Sequence, residues 1–93
     1  MMTFERDQKK SMVNYEKHGI YFEYAQYAFG DPKRIIMYDG KHSSNEEKRY
    51  FCFGRVDDRI IAIRFTIRNN NIRIFGAGYW REVRDIYEKE NSL

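Results

Sequence analysis

The alternation along residues 59–68 constrains this chain more than any other feature. Ile61, Ile63, Phe65 and Ile67 occupy one parity and Arg64, Thr66 and Arg68 the other, the period of two expected of a strand with one apolar and one polar face. Similar β-rich runs flank it, from Arg49 to Val56 and from Ile72 to Ala77. The links between them, Asp57-Asp58 and Asn69-Asn70-Asn71, consist of residues that tolerate positive φ. Three strands therefore form an antiparallel meander with tight hairpins. In the last of them Ile72 and Ile74 share a parity opposite to Arg73 and Phe75, which sends Arg73 to the face that carries Arg64.

A fourth β-run, Arg34 to Tyr38, follows the turn signal Asp31-Pro32. Before that turn the period is helical. Asp7 caps a helix over residues 8–17 that ends at His18-Gly19, and Phe22, Ala25 and Phe29 mark a second, short helix. Gly76 and Gly78 end the sheet, and Trp80, Val83 and Tyr87, flanked by Tyr79 and Ile86, define a closing helix to about Glu90. This stripe places Trp80 in the core and leaves Tyr79 as the exposed ring. The expected fold class is α+β in the order α-α-β-β-β-β-α. Its sheet is four-stranded and mainly antiparallel, with the helices over the isoleucine face and one basic face open to solvent.

A length of 93 residues allows one domain, 1–93, and the 17% aromatic content supplies burial from few positions. The lone cysteine, Cys52, lies in an apolar run, so a buried thiol and a reducing compartment are expected. No stretch approaches the ~20 apolar residues of a membrane span. The opening MMTFERDQKK has charges where a signal peptide needs its apolar region, and the expected location is the cytoplasm.

The net charge of +3 is unevenly spread. Lys48 to Asp85 holds nine basic against four acidic side chains, a balance of +5, and the remainder carries −2. Arg64 and Arg73, with Arg68 at a strand end and Arg81 on the closing helix, make the first candidate site, because guanidinium forks suit phosphate and the charge that builds on it during strand scission. The plainer reading of the same arginines is a solvated sheet face. The second candidate is His42, in the loop Asp39 to Glu47, where an imidazole can exchange protons near neutrality; the plainer reading is a surface histidine. His18 reads as a helix-end charge opposing the dipole. Two distant histidines and one cysteine give no metal-ligand spacing, and Gly76-Ala77-Gly78 lacks the remaining marks of a nucleotide loop. No metal or cofactor is expected.

Four stretches taken together resemble the BrnT toxin family. Phe4-Glu5-Arg6-Asp7, Asn14, Lys17-His18-Gly19, Phe22-Glu23 and Ala25 are similar to its opening F-E-W-D, N, K-H-G and F-E-E-A, with Asp31-Pro32 at the family spacing. Asp39, His42 and Ser43, then Glu46 to Tyr50 and Gly54, resemble D-x-R-H-S and E-E-R-F followed by G. Arg73-Ile74, Ala77 and Tyr87 resemble the closing R-I-I-S-A-R and Y, although Arg6 replaces a usual Trp and Gly76 and Gly78 replace a usual Ser and Arg. The resemblance implies a RelE-like fold and a ribonuclease that blocks translation. It also implies neutralisation by a BrnA-type ribbon-helix-helix antitoxin, through which alone the pair meets DNA. On that basis the expected activity is a metal-independent endoribonuclease. Arg64, Arg73 and Arg81 would hold the scissile phosphate, His42 would act as acid or base, and Lys41, Arg68 and Tyr79 would touch RNA. The alternative is a catalytically weak or inactive module that binds antitoxin or RNA.

Overall fold

The computed structural model describes residues 3–92; Met1, Met2 and Leu93 of the expected domain lie outside them. Strand β1 (Thr3–Phe4) leads into helix α1 (Gln8–His18), the short helix α2 (Phe22–Ala25) and a 3-10 turn at Gln26–Gly30. Strand β2 (Ile35–Tyr38), a 3-10 turn at Gly40–His42, strands β3 (Arg49–Val56), β4 (Arg59–Arg68) and β5 (Asn71–Gly78), and helix α3 (Arg81–Glu90) follow. The local signals act where the sequence places them. Asp7 accepts a hydrogen bond from the Lys10 amide at 3.0 Å, Gly19 closes α1 at φ +73°, and Asp57, Asn69 and Asn70 take positive φ in the hairpins.

The class is α+β, with two corrections to the expected architecture. The sheet has five strands in the order β1-β5-β4-β3-β2 and is mixed, because Thr3 and Phe4 pair in parallel with Asn71 and Ile72 at the edge. Two residues are too few to show an alternation, and their strand character comes from the pairing itself. The helices, moreover, divide between the two faces. Ile61, Ile63, Phe65, Ile72, Ile74 and Ala77 pack under the α1 and α2 side with Ile20, Phe22, Ala25 and Ala28. Helix α3 packs on the other face, where Tyr87 meets Phe53, Ile60 and Ala62. The run Ile60-Ile61-Ala62-Ile63 is apolar at both parities because β4 is covered on both sides there. Ile67, expected in the core, is 43% exposed at the hairpin end of β4.

Two polar side chains fasten helices to the sheet. Beyond Ile72 the outer edge of β5 has no strand beside it among the described residues, and the Asn14 amide takes that place. It donates to the Ala77 carbonyl at 3.0 Å, accepts from the Ala77 amide at 3.1 Å and donates to the Ile20 carbonyl at 2.8 Å. On the opposite face the buried Tyr87 hydroxyl donates to Asp31 at 2.6 Å, and the same carboxylate accepts from the Arg55 and Lys33 amides. Burial alone would raise the Asp31 pKa; the hydrogen bonds from Tyr87, Arg55 and Lys33 outweigh it and hold the carboxyl below its ordinary value. Cys52 is fully buried and its thiol is pushed up to about 12, chiefly by burial, so it stays protonated and inert.

A basic cavity with an aspartate–histidine pair

The face that carries Arg64 is left open beside α3, and an irregularity in the sheet shapes it. Arg64 pairs with Gly76 but Phe65 pairs with Ile74, which leaves Phe75 as the extra residue of a β-bulge. The bulge puts Phe75 and Gly76 on the same face. There Arg49 lies 4.3 Å and Arg73 6.0 Å from the centre of the Phe75 ring.

Arg64, Phe75 and Gly76 form the floor of a cavity of about 860 Å³ together with Phe51, Phe53 and Ala62. Its rim comes from α1 through Lys9, Lys10, Lys17 and His18, from the 3-10 turn through His42, and from the start of α3 through Trp80, Glu82 and Val83. Four lysine or arginine side chains face one carboxylate, so the cavity favours an anion. Its floor is apolar apart from Arg64, which strengthens charge interactions above it.

His42 enters this cavity in a fixed orientation. Asp39 is buried and caps the 3-10 turn through the His42 amide, and its second oxygen lies 2.9 Å from His42 Nδ1. A proton on Nδ1 donated to Asp39 leaves Nε2 with its lone pair, the arrangement of a general base. Ser43 fixes the same loop, donating to the Asp39 carbonyl at 2.6 Å and accepting from the Arg49 amide at 2.8 Å.

The two glycines at the end of β5 are seats for larger side chains. The Arg64 guanidinium lies over Gly76, where a Cβ would stand 3.2 Å from its nearest nitrogen, and a Cβ at Gly78 would overlap the six-membered ring of Trp80. Both glycines are buried. An arginine at Gly78 would displace the indole, whereas a serine at Gly76 would need only a small shift of the Arg64 guanidinium.

The candidate residues are therefore partly gathered and partly spread. His42 and Arg64 share the cavity, and Lys41 is exposed beside His42 on the same turn. Arg73 stands on the same face beyond Phe75 and is not among the lining side chains. Arg81 lines a neighbouring depression with Arg55, Arg59 and Arg84. Arg68 is ion-paired with Glu47 at 3.1 Å, away from the cavity. The expected roles of the two rings are exchanged: Tyr79 is half-buried against the core beneath Arg59, whose guanidinium is 3.4 Å from its centre, while Trp80 is 43% exposed. Trp80 is the N-cap of α3, with extended angles of φ −132° and ψ 140°, so the helical stripe does not extend to it.

Sequence reasoning passed over His18 and the lysines of α1. His18 does end a helix, but its ring lies 5.7 Å from that of Trp80 and lines the same cavity as His42. The signal was available in the spacing of Lys10, Val13, Asn14 and Lys17, which share one side of a helix. Among the described residues no three His, Cys, Asp or Glu side chains group as a metal site would require, and no helix is long and apolar enough to cross a membrane.

These features define a small α+β protein with a cationic, histidine-bearing cavity on the open part of its sheet. The family model for the ribonuclease toxin BrnT of type II toxin-antitoxin systems matches residues 7–83. The chain belongs to that family. Toxins of this class are paired with a protein antitoxin and act on RNA. No curated protein matches the chain.

Proposed function

We propose that this protein is a metal-independent endoribonuclease toxin that cuts RNA in the His42 and Arg64 cavity, inhibits translation in the cytoplasm, and is silenced by a BrnA-type antitoxin. The observation that supports this most is the Asp39–His42 pair: with its Nδ1 proton donated to Asp39, His42 would present Nε2 as a base in the cavity that also holds Arg64. In this reading His42 Nε2 takes the proton of a ribose 2′-hydroxyl and the 2′-oxygen attacks the adjacent phosphorus. The bond from phosphorus to the 5′-oxygen breaks. His18 gives its proton to that oxygen, leaving a 2′,3′-cyclic phosphate and a 5′-hydroxyl. Arg64 lies ready for the non-bridging oxygens, where extra negative charge develops. Arg73 and Arg81 add positive field on either side, and Lys41 serves a flanking phosphate, whereas Arg68 is held by Glu47 away from the cavity.

The test is cleavage of total RNA by the purified protein with end mapping. Cutting is expected to survive chelator and to leave 2′,3′-cyclic ends, and His42→Ala and Arg64→Ala are each expected to slow it roughly 10²–10⁴-fold. Wild-type rates in both variants would defeat the assignment. A second reading, a catalytically weak module that binds antitoxin or RNA, is favoured by one observation: the Trp80 indole covers Gly78, where the family pattern has an arginine. Growth arrest on expression without a partner gene separates the two, since a mere binder should be far less toxic.

A further inference from the structure

Trp80 lines two depressions at once. One is the cavity with His18, His42 and Arg64; the other, of about 320 Å³, is lined by Arg55, Arg59, Arg81 and Arg84 against Asp58 and Glu88. The indole is the ridge between them. It rests on Gly78, which has no side chain to lift it, and its flank leans on the His18 ring. At 43% exposure it is a large flat ring held in place from below and open above.

On the far side of this ridge the arginines differ in how firmly they are held. Arg59 lies over Tyr79, and Arg84 reaches Glu88 at 3.8 Å within the helix. Arg81 makes no ion pair among the described residues. The second depression therefore holds Arg59 against Tyr79 and Arg84 against Glu88, and leaves Arg81, beside the indole, without an ion pair among the described residues. The order along the surface is cation and imidazole, flat ring, cation. A nucleic acid strand repeats the complementary order of phosphate, base and phosphate.

We propose that the ligand of this surface is single-stranded RNA that crosses Trp80, with one base stacked on the indole and the next phosphate in the Arg81 depression. This rests on the nuclease reading of the cavity and specifies its substrate class. A base can lie on the indole only if it has left its own stack, which single strands permit and duplexes resist. Trp80 thereby acts as a positioning platform. It sets which nucleotide is held beside His42 and Arg64, and Arg81, expected at the scissile phosphate, holds a neighbouring one.

The protein contains one tryptophan, so binding reports directly on the residue concerned. A single-stranded 2′-O-methyl hexanucleotide, which cannot be cut through its 2′-oxygen, is titrated into the full chain free of antitoxin. Tryptophan emission is followed alongside anisotropy of an end label. Saturable quenching in parallel with the anisotropy change is expected, and a blunt duplex of the same length is expected not to quench. Trp80→Ala should weaken hexamer binding roughly 5- to 150-fold and Trp80→Phe only a few-fold. Arg81→Ala should weaken the hexamer more than a dinucleotide. Binding without quenching, wild-type affinity in Trp80→Ala, equal quenching by duplex, or no binding at all overturns the proposal. Because the probe cannot be cleaved, the two readings fail separately. Quenching without RNA cutting sinks the nuclease alone, and cutting without quenching sinks only the platform.

Discussion

Along β4, Ile61, Ile63 and Phe65 face α1 and α2, while Ala62 and Arg64 between them face the side of α3. Every residue of the first set is buried to 3% or less, and the layer above it is continuous. The second set begins under α3, where Ala62 meets Tyr87, and within two residues reaches Arg64 on the floor of an open cavity. One strand thus supplies stability through one parity and the candidate chemistry through the other. α3 is only ten residues long, and it is the portion of the face it leaves uncovered that becomes the site. Substitutions on the closed face should change stability and leave the cavity alone, and substitutions on the open face should do the reverse.

The strongest way to break this comparison is Ile63→Ala. Ile63 is fully buried among Phe65, Ala77 and the α1 and α2 side, so its truncation is expected to cost about 2–5 kcal/mol of unfolding free energy. Denaturant titration measures this, and activity per folded molecule should be unchanged. A loss under ~1 kcal/mol would mean that the closed face is not the seat of stability.

Tyr87 tests the point where the open face is closed by α3. Tyr87→Phe keeps the ring against Phe53, Ile60 and Ala62 but removes the hydroxyl bonded to Asp31, a hydrogen bond to a charged group worth about 1.5–3 kcal/mol. The effect depends on pH in a stated direction. The Asp31 carboxyl is held below its ordinary 3.8 in the folded chain. Its stabilisation is therefore complete above that value and lost as pH falls through the lower folded one. The gap between wild type and Tyr87→Phe should be constant near neutrality and narrow below pH 3.8; a gap that widens in acid would contradict the assignment.

The legible parts of the molecule follow the same division. Strand limits, the Asp7 cap, the Gly19 cap and both hairpins are local properties, and the bounds of β3 and β4 coincide with those read from the alternation. What could not be read depends on contacts between distant segments. β1 exists only through its pairing with β5, and the position of α3 follows from packing, with the apolar run at Ile60 to Ile63 as its sole trace. The site shows the same contrast. His42 and Arg64 were read as candidates because their residue types suit the chemistry, and the two share the cavity. His18, Trp80 and the displacement of Arg81 were missed because they depend on the bulge at Phe75 and on the extended backbone of Trp80, neither of which has a period to read.

The smallest expected effect sharpens the boundary of the site. Arg68 was a candidate for RNA contact, yet its guanidinium is paired with Glu47, which also holds Arg49 at 3.1 Å. Hydrogen bonds from Arg49, opposed by partial desolvation and joined by those from Arg68, keep the Glu47 carboxyl below its ordinary value. Because Arg68 is exposed and Glu47 only partly covered, the pair adds little to folding. Arg68→Ala should leave stability close to that of wild type, with any difference shrinking further in high salt. Its meaning lies in the salt dependence of RNA affinity. A residue that neutralises one phosphate lowers the slope of log affinity against log salt by roughly one when removed. For Arg68 the slope is expected to stay as in wild type if Glu47 keeps the guanidinium to itself. A drop of one would extend the RNA-binding track across the open face, past Arg49 and Phe75, to the hairpin end of the sheet.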